Sequence, residues 1–243
     1  MNDYLSWEEK TISDFSEKNI NDLYHDGFVF TRTGKGVLNQ TRSVRIDLSK
    51  FELNSENKRI LRKTEDVLLE IKPIPYLDYT WEIHKLGKEF YETKFGEKTF
   101  SAQKIKELIT DESKTNFNTL LKFCHCEERS DVANPLITES SEIASPPVAD
   151  RNDTSTVGYC ICYTNKEILH YCYPFYNLNS EISNLGIGMM TKAIVYAKEQ
   201  GLKYIYLGSA KDSKALYKFQ FEGVEWFDGK NWQTDVVELK KIL

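Results

Sequence analysis

Asn184-Leu185-Gly186-Ile187-Gly188-Met189-Met190 decides the fold. On its N-terminal side lie an apolar run, Ile168 to Tyr173, and a polar loop, Asn177 to Asn184. On its C-terminal side an amphipathic run continues to Gln200 and stops at Gly201, a residue suited to ending a helix. The spacing predicts a strand, a loop and then a helix over 185–200. Glycine at a helix start lets the backbone approach another group closely, and the first-turn N–H groups have no helical acceptor. The helix dipole favours an anion there. A tight strand-to-helix turn with no ligand has the same pattern, so the motif needs its context.

Working outward, Val157-Gly158-Tyr159-Cys160-Ile161-Cys162-Tyr163 reads as a strand, Thr164-Asn165-Lys166 as a turn and Ile168 to Tyr173 as the returning strand. Lys203 to Leu207 reads as a buried strand, a helix follows from Ser213, and an aromatic-rich stretch runs from Tyr217 to Trp232. Strand, strand, helix, strand, helix is an α/β (α+β) arrangement with a helical crossover. Upstream, Phe28-Val29-Phe30, Ser43 to Leu48 and Val67 to Ile71 read as strands, with Pro73 and Pro75 ending the last. Ser43 to Leu48 alternates as a half-buried strand does. Asn54 or Ser55 caps a short helix, residues 78–95 and 101–112 read as helices, and 118–123 as a strand. The expected organisation is an N-terminal subdomain (1–72) and a larger domain (73–243), the latter interrupted at 124–156.

Residues 124–156 have no aromatic side chain and are rich in Ser, Thr, Asp, Glu and Pro, so the expectation there is a mobile, disordered insertion. The phrases CHCEERSDVA and EIASPPVADRNDT resemble translated palindromic repeat elements, which implies a passenger at an exposed loop tip. Cys124-His125-Cys126 lacks a second pair, so no metal is expected.

With 243 residues, 40% of them hydrophobic, the chain can bury one substantial core. No run approaches a membrane span, and the start MNDYLSWEEK has no leader pattern; the expected location is cytoplasmic, with five free thiols. Membrane and DNA partners are not expected. The net charge of −5 is uneven: 124–156 carry seven acids against two arginines, while 28–63 carry nine Lys/Arg against three acids. A basic patch is therefore available on an acidic chain.

The run from Val157 to Trp226 resembles the GNAT acyltransferase core: Val157-Gly158-Tyr159, Gly186-Ile187-Gly188, Tyr204-Ile205-Tyr206-Leu207-Gly208 and Leu216-Tyr217-Lys218-Phe219-Gln220-Phe221 stand in its order. A second resemblance covers more of the chain. Leu23 to Arg32, Arg42 to Phe51, Asn54 to Lys63, Tyr171 to Leu185, Tyr204 to Gly208 and Tyr217-Lys218-Phe219 resemble successive phrases of the arginyl-tRNA–protein transferases, which include the bacterial aspartate/glutamate leucyltransferases. The sequence departs from these patterns at three places. Ser183 stands where acetyl-CoA-dependent GNAT members carry Gln or Arg; Gly36 to Thr41 lacks the second family's cysteine cluster; and Cys172-Tyr173-Pro174 lacks its aspartate before proline.

The resemblance implies an acyltransferase that moves an amino acid from aminoacyl-tRNA, as co-substrate, to a protein N-terminal amine, with no bound cofactor. The alternatives are an acetyl-CoA-dependent N-acetyltransferase and an inactive GNAT-fold binding protein. The candidate donor-binding residues are Asn184, Leu185, Gly186, Ile187, Gly188, Tyr206 and Gly208. N–H groups near Leu185 and Gly186 would stabilise an oxyanion. Tyr217 is the candidate proton donor to the leaving atom, its plainer reading being a core aromatic. Glu181 and Asp212 are candidate bases or amine-binding acids, or plain loop acids. Arg42, Arg45, Lys58, Arg59, Arg62 and Lys63 are the candidate tRNA contacts, or an ordinary charged surface.

Overall fold

Short polar side chains start three of the helices. Asn54 accepts the Asn57 N–H at 2.9 Å, Ser101 that of Lys104 at 3.1 Å and Ser16 that of Asn19 at 3.4 Å, each satisfying a donor the helix itself leaves free. The computed structural model describes residues 5–126 and 154–243. The first half of the chain runs β1 (Glu8–Thr11), α1 (Glu17–His25), β2 (Phe28–Phe30), β3 (Val37–Gln40), β4 (Ser43–Asp47), α2 (Ser55–Lys63), β5 (Val67–Pro73), α3 (Trp81–Phe95), α4 (Ala102–Thr110) and β6 (Thr119–Cys126). The second half runs β7 (Thr154–Thr164), β8 (Ile168–Tyr176), α5 (Leu185–Glu199), β9 (Tyr204–Ser209), a 3₁₀ helix (Ser213–Gln220), β10 (Val224–Phe227), β11 (Trp232–Gln233) and α6 (Val236–Ile242).

The strands make a small sheet, β1-β3-β2, and an eight-stranded sheet, β11-β10-β4-β9-β8-β7-β6-β5. Neighbours in the large sheet are antiparallel except β8 and β9, which α5 joins in parallel. This is the mixed, helix-flanked sheet that the GNAT resemblance implies. Strands from both sides of residue 72 share it, since β4 and β5 pair with β9 and β6.

Each face of the large sheet carries a core. On one, Met189, Met190, Ala193 and Ile194 of α5 pack against Ile46, Leu121, Phe123 and Ile205. On the other, Ile83 and Phe90 of α3, Ile105 and Leu108 of α4 and Tyr24 of α1 pack against Ile161, Phe175 and Tyr206. Among the described residues no helix is long and apolar enough to cross a membrane.

Four expectations change. β4 is not half-buried: Ser43 to Ile46 are all buried, because the strand is sandwiched between β9 and β10. The helix from Ser213 is 3₁₀ rather than α. The aromatic-rich closing stretch, Tyr217 to Trp232, holds the end of that helix, β10 and the start of β11. The expected insertion is shorter than 124–156, since Cys124–Cys126 and Thr154–Thr156 pair as strand ends. Residues 127–153 lie outside the described residues.

The buried face of β4 carries a charge. Arg45 and Glu225 are direct cross-strand partners, 5% and 9% exposed, with Nη2 of Arg45 2.8 Å from Glu225 Oε2. The guanidinium lies between the rings of Tyr204 (4.0 Å) and Trp232 (3.8 Å). Removing one member of such a pair strands the other charge in the interior. Glu225→Ala is therefore expected to cost about 3–5 kcal/mol in urea unfolding; a loss below about 1 kcal/mol would contradict this account.

Candidate functional site

The pairing of β8 with β9 ends early. Ile168, Leu169 and His170 pair with Tyr204, Ile205 and Tyr206, and no further. Beyond that point β8 stays on β7, with a register shift that makes Tyr171-Cys172-Tyr173 oppose Ile161-Cys162, while Ser209 of β9 turns to Ser43 of β4. Such a bulge bends its strand. The two strands therefore open into a wedge, with Tyr171 to Tyr176 on one side and Leu207 to Ser209 on the other.

The 3₁₀ helix lays two side chains at this wedge. Lys218 is 8% exposed, and its Nζ donates to the Ser209 carbonyl at 2.7 Å. Gly208 has φ of +75°, a backbone geometry that favours glycine, and a Cβ there would stand 3.7 Å from Lys218 Nζ. Burial pushes the Lys218 ammonium down to about 8, partly opposed by nearby Cys172. Tyr217 is partly exposed, and burial, then the neighbouring Tyr176 and Cys160, push its pKa up to about 12. Its phenol is therefore protonated at neutral pH.

Two other groups are silenced by the same burial. His170, 1% exposed, is pushed down to about 3 by burial and then by Lys218, so its imidazole stays neutral, with Nδ1 2.9 Å from the Tyr24 hydroxyl. Burial pushes the Cys172 thiol well up, so it is not a thiolate nucleophile at neutral pH. The Tyr171 hydroxyl is buried without a hydrogen-bond partner among the described residues.

A second concavity adjoins the start of α5. It has a volume of about 290 Å³ and is lined by Lys94, Tyr176, Asn177, Ser180, Asn184 and Gly186, among others. Asn184, with φ of +64°, precedes the helix without capping it, so no side chain takes the first-turn N–H groups. Lys94, from α3, is a cation that Ser183 does not provide. Tyr176 lines this cleft and is also one of the groups that raise Tyr217, which links the cleft to the wedge.

The sequence-derived candidates fall unevenly on these features. Asn184, Leu185, Gly186 and Ile187 line the cleft, and Gly208 the wedge. The glycines of the motif mostly make room for protein: a Cβ on Gly186 would stand 2.5 Å from the Tyr176 hydroxyl, and one on buried Gly188 2.5 Å from Thr64 of the α2 C-cap. Tyr206 is 2% exposed, edge-on to Tyr24 at 4.9 Å, and so belongs to the core rather than to a donor site. Asp212 caps the 3₁₀ helix by accepting the Lys214 N–H at 2.9 Å. Glu181 is exposed, and its neighbours Ser180 and Ile182 line the cleft instead.

Among the basic candidates, Arg45 is corrected: buried and paired with Glu225, it cannot face a phosphate. Arg42 is half-buried and donates to the Ala210 carbonyl at 3.2 Å. Arg59 is held by Glu56 at 2.5 Å. Lys58, Arg62 and Lys63 are exposed on α2, whose C-terminal end touches the first turn of α5 at Thr64 and Gly188. Lys218 escaped the sequence reading, although it directly follows Tyr217. A lysine beside an aromatic in an amphipathic helix looks like surface until the fold buries it.

The Arginine-tRNA-protein transferase, C terminus, family model matches residues 76–228. The aspartate/glutamate leucyltransferase of Dinoroseobacter shibae is 23% identical over 193 residues, which cover 79% of this chain and 61% of that protein. The one from Ruegeria pomeroyi is 32% identical over 88 residues, 35% of this chain and 32% of that protein. The chain thus spans less than two thirds of the length of these relatives. Among solved structures, L-PGS from Bacillus licheniformis aligns over 93% of this chain and 68% of its own, with a TM-score of 0.45 and 8% identity. Matched over more than half its length, the chain belongs to the arginine-tRNA-protein transferase family, through that family's C-terminal region.

Proposed function

We propose that the chain transfers an amino acid from the 3′ end of a charged tRNA to the N-terminal amine of a protein or peptide. The observation that carries this reading is the wedge between β8 and β9, where Lys218 Nζ stands on the Ser209 carbonyl, 6.0 Å from the centroid of the Tyr217 ring. The aminoacyl ester is already activated, so the protein needs only to align it with a neutral amine and move protons. Lys218, with a pKa of about 8, is matched to take a proton from the attacking amine. Tyr217 returns a proton to the leaving 3′-oxygen of the ribose. The amine nitrogen forms the new amide bond as the ester C–O bond breaks, and the lysine's proton goes back to the tyrosine. No covalent acyl-enzyme enters, in keeping with the protonated Cys172 thiol.

In this reading the cleft at the start of α5, with Lys94 and the free N–H groups, holds the phosphate of the terminal nucleotide. Lys58, Arg62 and Lys63 of α2 extend that contact along the tRNA backbone. Acetyl-CoA fits less well: the Tyr176 hydroxyl fills the space over Gly186, and Ser183 offers no grip on a pyrophosphate.

Mixing the protein with acceptor peptides and tRNA charged with labelled amino acids should put label on the peptides, and replacing the charged tRNA by uncharged tRNA and free labelled amino acids should abolish it. Label appearing with acetyl-CoA alone would overturn the reading. Lys218→Met should lower kcat about 10²–10⁴-fold with little change in the peptide KM, the range for loss of a general base. Because neutral lysine is the active form, wild-type kcat should rise with pH to about 8 and then level off. A flat wild-type profile would contradict the assignment. Reversing the charge of Lys58, Arg62 and Lys63 should weaken tRNA binding and reduce its salt slope by roughly 1 per cation removed; an unchanged slope would place the tRNA elsewhere.

A further inference from the structure

The eight-stranded sheet ends at β5. Over its whole length, Val67 to Pro73, this strand pairs with β6 in an unbroken antiparallel register, and no described strand pairs with its other side. The opposite edge, β11, is only two residues long. Backbone groups of successive strand residues point to alternate sides, and two bonds fix which side is which. The Ile74 N–H donates to the Asn118 carbonyl and the Cys126 N–H to the Asp66 carbonyl, each at 3.0 Å and both on the β6 side. Even-numbered residues therefore face β6, while Val67, Leu69, Ile71 and Pro73 face outward. The Val67 N–H is taken by the Thr64 carbonyl at 3.1 Å, but those of Leu69 and Ile71 have no acceptor among the described residues. Pro73, with no N–H to offer, stands at an outward position, where proline costs the ladder nothing.

An unpaired edge of this length is a template for another strand. Its apolar side chains Leu68 and Ile71 are 50% and 38% exposed. Glu70 pairs within the chain with Lys72 at 3.0 Å and with Lys122 of β6 at 3.6 Å. This pattern is complementary to itself. Antiparallel pairing about a twofold axis through Ile71 sets Ile71 against the Ile71 of a second copy, Leu69 against Pro73 and Glu70 against Lys72. Both free N–H groups are then used: Ile71 donates to the opposite Ile71 carbonyl and Leu69 to that of Pro73. On one face two Glu70–Lys72 pairs lie directly across the seam, and on the other Leu69, Ile71 and Pro73 meet. An axis through Glu70 would instead oppose the two Glu70 carboxylates, and one through Leu69 would leave Glu70 facing Leu68.

We propose that the chain forms a twofold dimer by antiparallel pairing of β5 with the β5 of a second copy, in the register centred on Ile71, which joins the two large sheets into one. The proposal does not rest on the transfer reading, because β6 and β7 stand between this edge and the wedge at β8 and β9. Sedimentation velocity of the full chain over a series of concentrations should show one chain mass giving way to two. Ile71→Pro removes an outward N–H and leaves the bonds to β6 in place, so it should weaken the dimer about tenfold or more, since the axis counts each loss twice. Glu70→Lys and Lys72→Glu each bring like charges face to face and should weaken it comparably. Mixed in equal amounts, these two charge variants should dimerise again, because the lysines of one face the glutamates of the other.

A wild type that keeps one chain mass at every concentration overturns the proposal. So does a dimer that Ile71→Pro and both charge variants leave intact, which places the interface elsewhere. Amide hydrogen exchange tests the same seam without any variant. The N–H groups of Leu69 and Ile71 should exchange more slowly as the wild type dimerises, and a dimer that leaves their exchange unchanged overturns the proposal even if the variants fail to fold.

Discussion

Three residue pairs hold β8 to β9, and the site depends on where that pairing stops. A parallel pair continued to the end of β8 would bury Tyr171 to Tyr176 against a neighbour and leave no opening. Instead the register shift at Cys172 keeps β8 on β7, and Gly208, in its left-handed geometry, sends β9 toward β4. Lys218 then bridges from the 3₁₀ helix to the Ser209 carbonyl and fixes the width of the wedge. α5 leaves from the end of β8, so the helix start and the wedge are both fixed by the course of one strand.

Burial, more than any partner, sets the chemistry of this opening. It lowers Lys218 to about 8 and His170 to about 3, and raises Cys172 and the Tyr217 phenol. The outcome separates the groups by role. In the proposed transfer a lysine at about 8 would exchange protons and a phenol at about 12 would hold its proton until an alkoxide forms, while the imidazole and thiol stay neutral. The same low polarity makes the unpartnered Tyr171 hydroxyl costly.

Much of the fold was legible because it is written in local periodicity. The hairpin around Thr164-Asn165-Lys166, the helix entered at Leu185 and closed at Gly201, and the Asn54 cap all emerge where the residue pattern places them. The same pattern misjudged β4, since alternation marks one buried face and cannot show that a strand is central. No element was assigned to residues 8–25 or 236–242, where β1, α1 and α6 form, the two helices started by Ser16 and Asp235. The site was legible at its α5 end and, at the wedge, in Gly208 and Tyr217. Tyr206, Arg45 and Asp212 carry chemically useful groups, but tertiary partners engage them: a core ring, Glu225 and a helix start. Lys218 gains significance only when the sheet opens beside it, which no local pattern records.

The most direct test of this account is photo-crosslinking with a short tRNA acceptor stem whose 3′ end carries a photoreactive amino acid in a non-hydrolysable amide link. Adducts should map to Tyr171–Tyr176, to Gly208 and Ser209, and to the 3₁₀ helix at Tyr217 and Lys218, and should vanish when untreated charged tRNA competes. A separate concavity, of about 530 Å³, is lined by Asp47, Ser49, Lys198, Lys203 and Tyr204 near the C-terminal end of α5. Adducts concentrated there, or spread over the surface without competition, would contradict the wedge as the place where the amino acid changes hands.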